Sequence, residues 1–349
     1  MLQITHAGPI PVLQDADMNS APKTLGRTDE GEAPGRARSL TPAVRQQIAD
    51  LRSRRYNRRS ILELGSTYAF IAFGLWLIGT AAHWTVYPIG FLIVGMMQYR
   101  LVMSSHEAVH KTLLNPVWLN EAFGSVNAAL VGVSFFNYRK THLEHHKSPQ
   151  YIQDDTDAYI YKPLLQCKPG LRRLGLLLFG VWVDVWVKLR RKISGVRVNA
   201  QPSASGPATD SQLWLIAIVQ LTMLALFALS MHWWQYFVFW FLPIFAIALT
   251  MDRIRIFVEH GYCYLFTDPC PRVEQALQAT VDIRTNPIEG YLLAPFGFIY
   301  HQAHHAQLTV PYYNLRNLSD LLLANDSRYN AVVKGSYLGI LTRMIWASK

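Results

Sequence analysis

The sequence predicts an all-α integral membrane protein, with four transmembrane helices arranged as two hairpins and a helical cap on the cytoplasmic side. Three observations carry that expectation: two long apolar blocks, a strict exclusion of Lys and Arg from them, and clustered histidines that all fall in the charged segments. Composition sets the frame, because 51% of the 349 residues are hydrophobic while the formal charge is +10. That pairing is unusual for a soluble protein of this size.

The apolar blocks run from Ser60 to Tyr99 and from Leu213 to Met251. One helical span needs roughly 20 apolar residues, so each block is long enough for two spans joined by a short turn. The turns are expected near His83 to Pro88 and near His232 to Gln235. All 33 Lys and Arg lie outside the blocks, 10 before Ser60, 14 from Arg100 to Arg197 and 9 from Arg253 onward, and neither turn carries one. By the positive-inside rule the central segment and both termini are cytoplasmic. We therefore expect a multi-pass protein of a bacterial inner membrane, with only the two uncharged turns outside.

The remaining elements follow in chain order. Residues 1–40, rich in Ala, Pro, Gly and charge, read as a disordered tail that lacks the basic start and apolar run of a signal peptide. Over 41–60, Thr41 and Pro42 open a basic juxtamembrane helix, expected to sit beside anionic lipid. Residues 61–323 form the membrane domain and 324–349 a C-terminal cytoplasmic segment. Two shorter apolar stretches, Ala122 to Phe136 and Leu174 to Val187, fall below the minimum of about 17 residues for a span. Both are expected in the interface or packed on the protein. Ser194 to Asp210 reads as a flexible linker.

Cys167, Cys263 and Cys270 all fall in segments expected to be cytoplasmic, so no structural disulfide is expected, and three unpaired cysteines do not hold an iron–sulfur cluster. No nucleotide or flavin fingerprint is present, so electrons for any redox chemistry must come from another protein. No nucleic-acid partner is expected.

Nine of the twelve histidines form a pattern: His106 and His110 in HEAVH, His142, His145 and His146 in HLEHH, His260 alone, and His301, His304 and His305 in HQAHH. On a helix, positions i, i+3 and i+4 share one face, so each cluster offers two or three imidazoles to a common point. His106 follows the second span and His260 the fourth, which places both at the same cytoplasmic mouth. Nine imidazoles without a thiolate favour iron or zinc and exceed what one ion accepts, so two metal ions are implied. His6, His83 and His232 lie in the tail or the outer turns and are not expected to bind metal.

These motifs, with the stretch RIRIFVEH ending in His260, resemble the histidine boxes of the membrane fatty-acid desaturase and hydroxylase superfamily. APFGFIYHQAHHAQLTVPYYNL resembles its C-terminal signature, and the resemblance covers roughly Ser66 to Leu323. It implies a cytoplasmic di-iron site held by the boxes and His260, with dioxygen as co-substrate. The substrate implied is a long apolar chain, an acyl-lipid, acyl-CoA or acyl-ACP, and the donor a ferredoxin or a cytochrome b5-like protein. There is one departure. Related acyl-coenzyme A desaturases place an asparagine one turn before the lone histidine to support a water ligand; here that residue is Ile256, with Glu259 or Asn286 as substitutes. Glu107, Glu144, Glu259 and the acidic run Asp154, Asp155 and Asp157 lie near the boxes, where carboxylates orient ligand imidazoles.

Three competing readings follow from the same residues. HEAVH also fits an intramembrane zinc protease, with Glu107 as base between His106 and His110, but that leaves seven histidines mostly unexplained. A metal transporter would place ligands within the spans, where almost no ionisable residue occurs. Carotenoid or acyl hydroxylases and ketolases share the box pattern, and the VPYYNL ending favours acyl desaturation. An acidic electron donor is expected to meet Arg172, Arg173, Arg190, Arg191 and Lys192.

Overall fold

The computed structural model describes residues 40–147, 155–193, 210–266, 280–326, 329 and 331–348. The tail, the linker over 194–209, His6, Asp154 and Cys270 lie outside the described residues, as do the side chains of Arg191 and Lys192.

Helix α1 (Pro42–Ser53) precedes four helices long and apolar enough to cross a membrane: α2 (Asn57–Gly79), α3 (Val86–Val109), Gln212–Ser230 within α8 (Asp210–Ser230), and Trp233–Phe266. The last comprises α9 (Trp233–Tyr236), two π-helical turns and α10 (Leu249–Phe266). The breaks between the spans fall at 80–85 and 231–232, beside the uncharged turns. Of the short apolar stretches, the first lies mostly in α4 (Val117–Leu130) and the second in α7 (Leu171–Ile193), and neither qualifies as a span.

Close helix contact sets the bundle. A Cβ at Gly90 would lie 2.6 Å from the Ile78 side chain of α2, and one at Gly95 2.6 Å from Cβ of Ile247 in the second π turn. Only glycine permits both approaches. Buried Gln98 of α3 donates to the Trp240 carbonyl, 2.8 Å away in the first π turn. At 34 residues, Trp233–Phe266 is about 51 Å long, so about 20 Å stands beyond a hydrocarbon core of about 30 Å. Every residue from Met97 to Val109 of α3 and from Arg253 to Gly261 of α10 is buried. A helix covered on all sides is a pillar of the interior, and these two stretches carry His106 and His260.

Around the pillars stand α5 (Phe135–Lys147), α6 (Ala158–Gln166), α11 (Pro287–Leu293), α12 (His301–Ala306), α13 (Leu315–Asn325) and α14 (Tyr337–Trp346). Two three-residue strands, β1 (Asp282–Arg284) and β2 (Val332–Lys334), pair in parallel. They are an exception to the all-α expectation. The segment after 323 supplies β2 and α14, whose Tyr337 and Met344 are fully buried.

One expectation, on Arg173, is corrected, and the basic helix gains a packing partner. The basic helix α1 lies on α13 through Val44, Ile48 and Leu51, and Asn314 donates to the carbonyls of Leu51 (2.8 Å) and Arg54 (3.0 Å). It is a strap on the protein. Arg173, expected to meet a partner, is buried, and its guanidinium donates to the carbonyls of Met344 (2.6 Å), Ala347 (2.8 Å) and Cys167 (3.2 Å). It fastens α7 to the C-terminal segment. Arg172 and Arg190 are exposed on α7, beside exposed Phe179, Trp182 and Trp186.

Candidate metal centre

The ends of α3 and α10 meet α5 and α12, and all nine box histidines converge there. One group holds His106, His110, His142, His146 and His304; a second holds His145, His260 and His305; and a third, sharing His260, adds His301 and Glu259. Within each group the candidate ligand atoms lie within 4.8 Å of one another. His301 Nε2 is 2.9 Å from His260 Nε2 and 3.0 Å from His305 Nε2, so the last two groups merge into one set of four imidazoles.

The nitrogen spacings fit metal ions. Two nitrogens bound at right angles to one ion, each about 2.1 Å away, lie about 3 Å apart. His142 Nε2 sits 2.9 Å from His110 Nε2 and 2.8 Å from His146 Nε2. Nε2 of His106 and of His304 are buried without a hydrogen-bond partner among the described residues, a costly state that a bound ion would relieve. Burial first, and then neighbouring rings, hold His142, His301, His304 and His305 well below the ordinary imidazole value, and His110 at about 3. Neutral imidazole is the form that ligates metal.

Local folding explains each placement. On α3, Asn120 closes the helix end by donating to the Ala108 carbonyl (2.8 Å) and accepting from Leu113 and Leu114 N–H. On α5, His145 and His146 are adjacent yet serve different groups, as do His304 and His305 on α12. Before α12 the chain turns through Gly297, at φ +74°, where a Cβ would meet the Tyr312 carbonyl oxygen at 2.8 Å. Asp282 then fixes the start of α12. One oxygen accepts from the N–H groups of Gln302 (2.8 Å) and Ala303 (3.3 Å), and the other from the hydroxyls of Ser319 (2.7 Å) and Tyr329.

The carboxylates sort by contact. Asp155 lies 2.5 Å from His145 Nδ1 and accepts from Tyr161 OH at 2.6 Å. Burial raises its carboxyl, but the His145 ring pulls harder and holds it at about 2. Asp157 is a secondary contact, 3.8 Å from the same nitrogen. Glu107 accepts from Thr112 Oγ1 at 2.9 Å and lies 3.4 Å from His106 Nδ1, a position that orients the ring and leaves it tied rather than poised as a protease base. Glu259 faces His301 Nδ1 at 3.4 Å and is held by Arg255 Nη1 at 2.6 Å. Glu144 is half-buried and joins no group. Asn286 is exposed and caps α11, accepting from Glu289 N–H, so it offers no substitute ligand.

Sequence reasoning missed Asp282 and Tyr161, because the chain alone does not show that a strand 19 residues before His301 meets the start of α12. In the sequence Asp155 stands out only as one of an acidic run.

The fatty acid desaturase family model matches residues 82–336. The chain is 24% identical over 335 residues to an sn-1 acyl-lipid omega-3 desaturase (ferredoxin) of Nostoc sp. (strain 36), covering 90% of this chain and 84% of the relative. It is 21% identical over 250 residues to an sn-1 oleoyl-lipid 12-desaturase of Anabaena variabilis, covering 70% and 71%. With the family model spanning every histidine of the centre, the chain belongs to the fatty acid desaturase family and is an oxidoreductase.

Proposed function

We propose that this chain is a membrane di-iron enzyme that uses dioxygen to place a double bond in the acyl chain of a lipid, with electrons from a ferredoxin-like donor. The observation that carries the reading is a cavity of about 290 Å³ that reaches ligand-set His142 through a wall of Val102, Ala128, Val131, Ile160, Leu249 and Ile256. A cavity with an apolar wall that reaches one ligand-set imidazole suits a hydrocarbon chain presented to an oxidising centre, and Asp157, Asp252 and Arg255 give its other side a polar lining. Ile256 turns the position where acyl-coenzyme A desaturases, on the resemblance above, place an asparagine into part of that apolar wall.

Two bound irons with dioxygen supply the oxidant needed for an unactivated C–H bond, which no side-chain base can deprotonate. The five-imidazole group would hold one ion and the four-imidazole group the other. Asp155 and Glu107 fix ring orientation through the second nitrogens of His145 and His106, and Glu259 lies 3.4 Å from that of His301. Buried Phe298, 4.5 Å from the His106 ring and 5.5 Å from His301, keeps water from that side.

Expression in a host without background desaturase, followed by lipid mass spectrometry, tests the reading. New alkenes in glycerolipid acyl chains are expected; alcohols accumulating without alkenes would assign hydroxylation instead. The lysine and arginine partition further supports cytoplasmic termini and boxes. In intact cells an impermeant thiol reagent is expected to label Trp233→Cys but neither Leu171→Cys nor native Cys167, and the reverse pattern would overturn this topology.

A further inference from the structure

We propose that the arginine face of α1 and the start of α2, with Arg316 of α13, is the docking surface for an acidic one-electron carrier. The proposal rests on the metal reading above, under which electrons enter from another protein. Residues 41–60 hold six arginines, Arg45, Arg52, Arg54, Arg55, Arg58 and Arg59, against one carboxylate, Asp50. Arg55 is half-buried and the other five, like Arg316, are exposed.

Position singles out this face. Arg52 Nη2 donates to the side chain of Gln307 at 3.0 Å, two residues beyond His305, and Arg55 donates to the carbonyl of Lys111, the residue after His110. His110 and His305 belong to different imidazole groups, so the face touches the rim of both. His305 is half-buried, whereas most of the nine histidines are fully buried, and the centre therefore comes near solvent beside Gln307. Electron transfer falls steeply with distance, which favours this edge.

Charge and rigidity agree with position. The guanidinium groups of Arg54, Arg58 and Arg316 donate no hydrogen bond and close no ion pair among the described residues, so their charge is available to a partner. Val44, Ile48, Leu51 and Asn314 hold α1 on α13, so the surface keeps a fixed relation to the boxes. Transient redox encounters bury little area and depend on complementary charge, which this face supplies, with exposed Tyr56, Ile61 and Leu62 beside the arginines. On α7, by contrast, Arg173 is buried, and Arg172 and Arg190 share their helix with exposed tryptophans.

The test uses the full iron-loaded chain in nanodiscs with an acidic [2Fe–2S] ferredoxin as probe, and the triple variant Arg54→Glu/Arg58→Glu/Arg316→Glu. The variant is expected to raise the Kd and KM for ferredoxin by about 10- to 100-fold and to flatten their salt dependence. Iron content, and turnover with a small-molecule reductant, should stay at the unaltered level. Unchanged ferredoxin affinity with iron retained would overturn the docking surface alone, as would a loss that follows Arg172→Glu/Arg190→Glu instead. If ferredoxin affinity holds but thermal stabilisation by phosphatidylglycerol nanodiscs is lost, the arginines bind lipid and the proposal fails. Absence of iron and of reductant-driven turnover in the unaltered protein would remove the metal reading itself.

Discussion

His304→Ala is expected to abolish turnover, with activity falling by well over about 100-fold. Loss of a group that merely orients a ligand costs about 10- to 100-fold in metal affinity or activity, and loss of a ligand exceeds that. His304 is fully buried among His106, His110 and His146, with ring centroids 4.6 to 5.0 Å away, so no water-filled space substitutes for its ring. The unaltered protein should carry about two irons per chain, as two imidazole groups require, and the variant clearly fewer. Insertion should be unaffected, because the spans are apolar without the ligands. Full activity in the variant, or one zinc with negligible iron in active protein, would refute the assignment.

Asp282→Ala is expected to cost stability as much as chemistry. Removing the carboxylate strands the N–H groups of Gln302 and Ala303 and the hydroxyls of Ser319 and Tyr329 in a buried site, a cost of at least about 3 kcal/mol. The start of α12 would loosen and iron would be lost even though no ligand is changed. Asp282→Asn keeps an acceptor for the backbone and should retain most of the iron. It also isolates a pH effect. Burial raises the Asp282 carboxyl to about 6, against the pull of Ser319, Tyr329 and the two N–H groups; Arg284 reaches the same cluster through Ser319 Oγ at 2.9 Å. The folded value lies above the unfolded one, so this contribution is fully present below about pH 4 and is lost as pH rises through about 6. Thermal midpoints in detergent should show that slope in the unaltered protein and lose it in the Asn variant. Equal stability of the Ala variant at all pH values would show that Asp282 does not hold the box.

The spans and the nine histidines were legible in the sequence for a physical reason. Bilayer thickness sets the length of an apolar run, and helical periodicity sets the spacing of residues that face one point, so both leave local marks. The unread parts are those in which distant segments meet. Asp282 and Tyr161 carry no local sign of their partners, and Arg173 looks like any exposed arginine until its three carbonyl partners come together around it. The basic helix α1 reads as a membrane anchor by composition, whereas the spacing of Val44, Ile48 and Leu51 gives it an apolar stripe that α13 covers. Asp155 and Asp157 look equivalent in sequence, and only the fold makes the first the partner of His145.

The crossing of neighbouring histidines between groups bears on how such a centre arises and is filled. His145 and His146 are joined by one peptide bond yet belong to different imidazole groups, as do His304 and His305. A centre made by doubling a one-ion ancestor would give each motif its own ion; here HLEHH and HQAHH each contribute to both groups, while HEAVH serves one. Neither half can be deleted or acquired alone without stripping ligands from the other, and an inserted residue between either pair would misplace both. Loading is therefore expected to be concerted, with empty and doubly filled chains prevailing over half-filled ones.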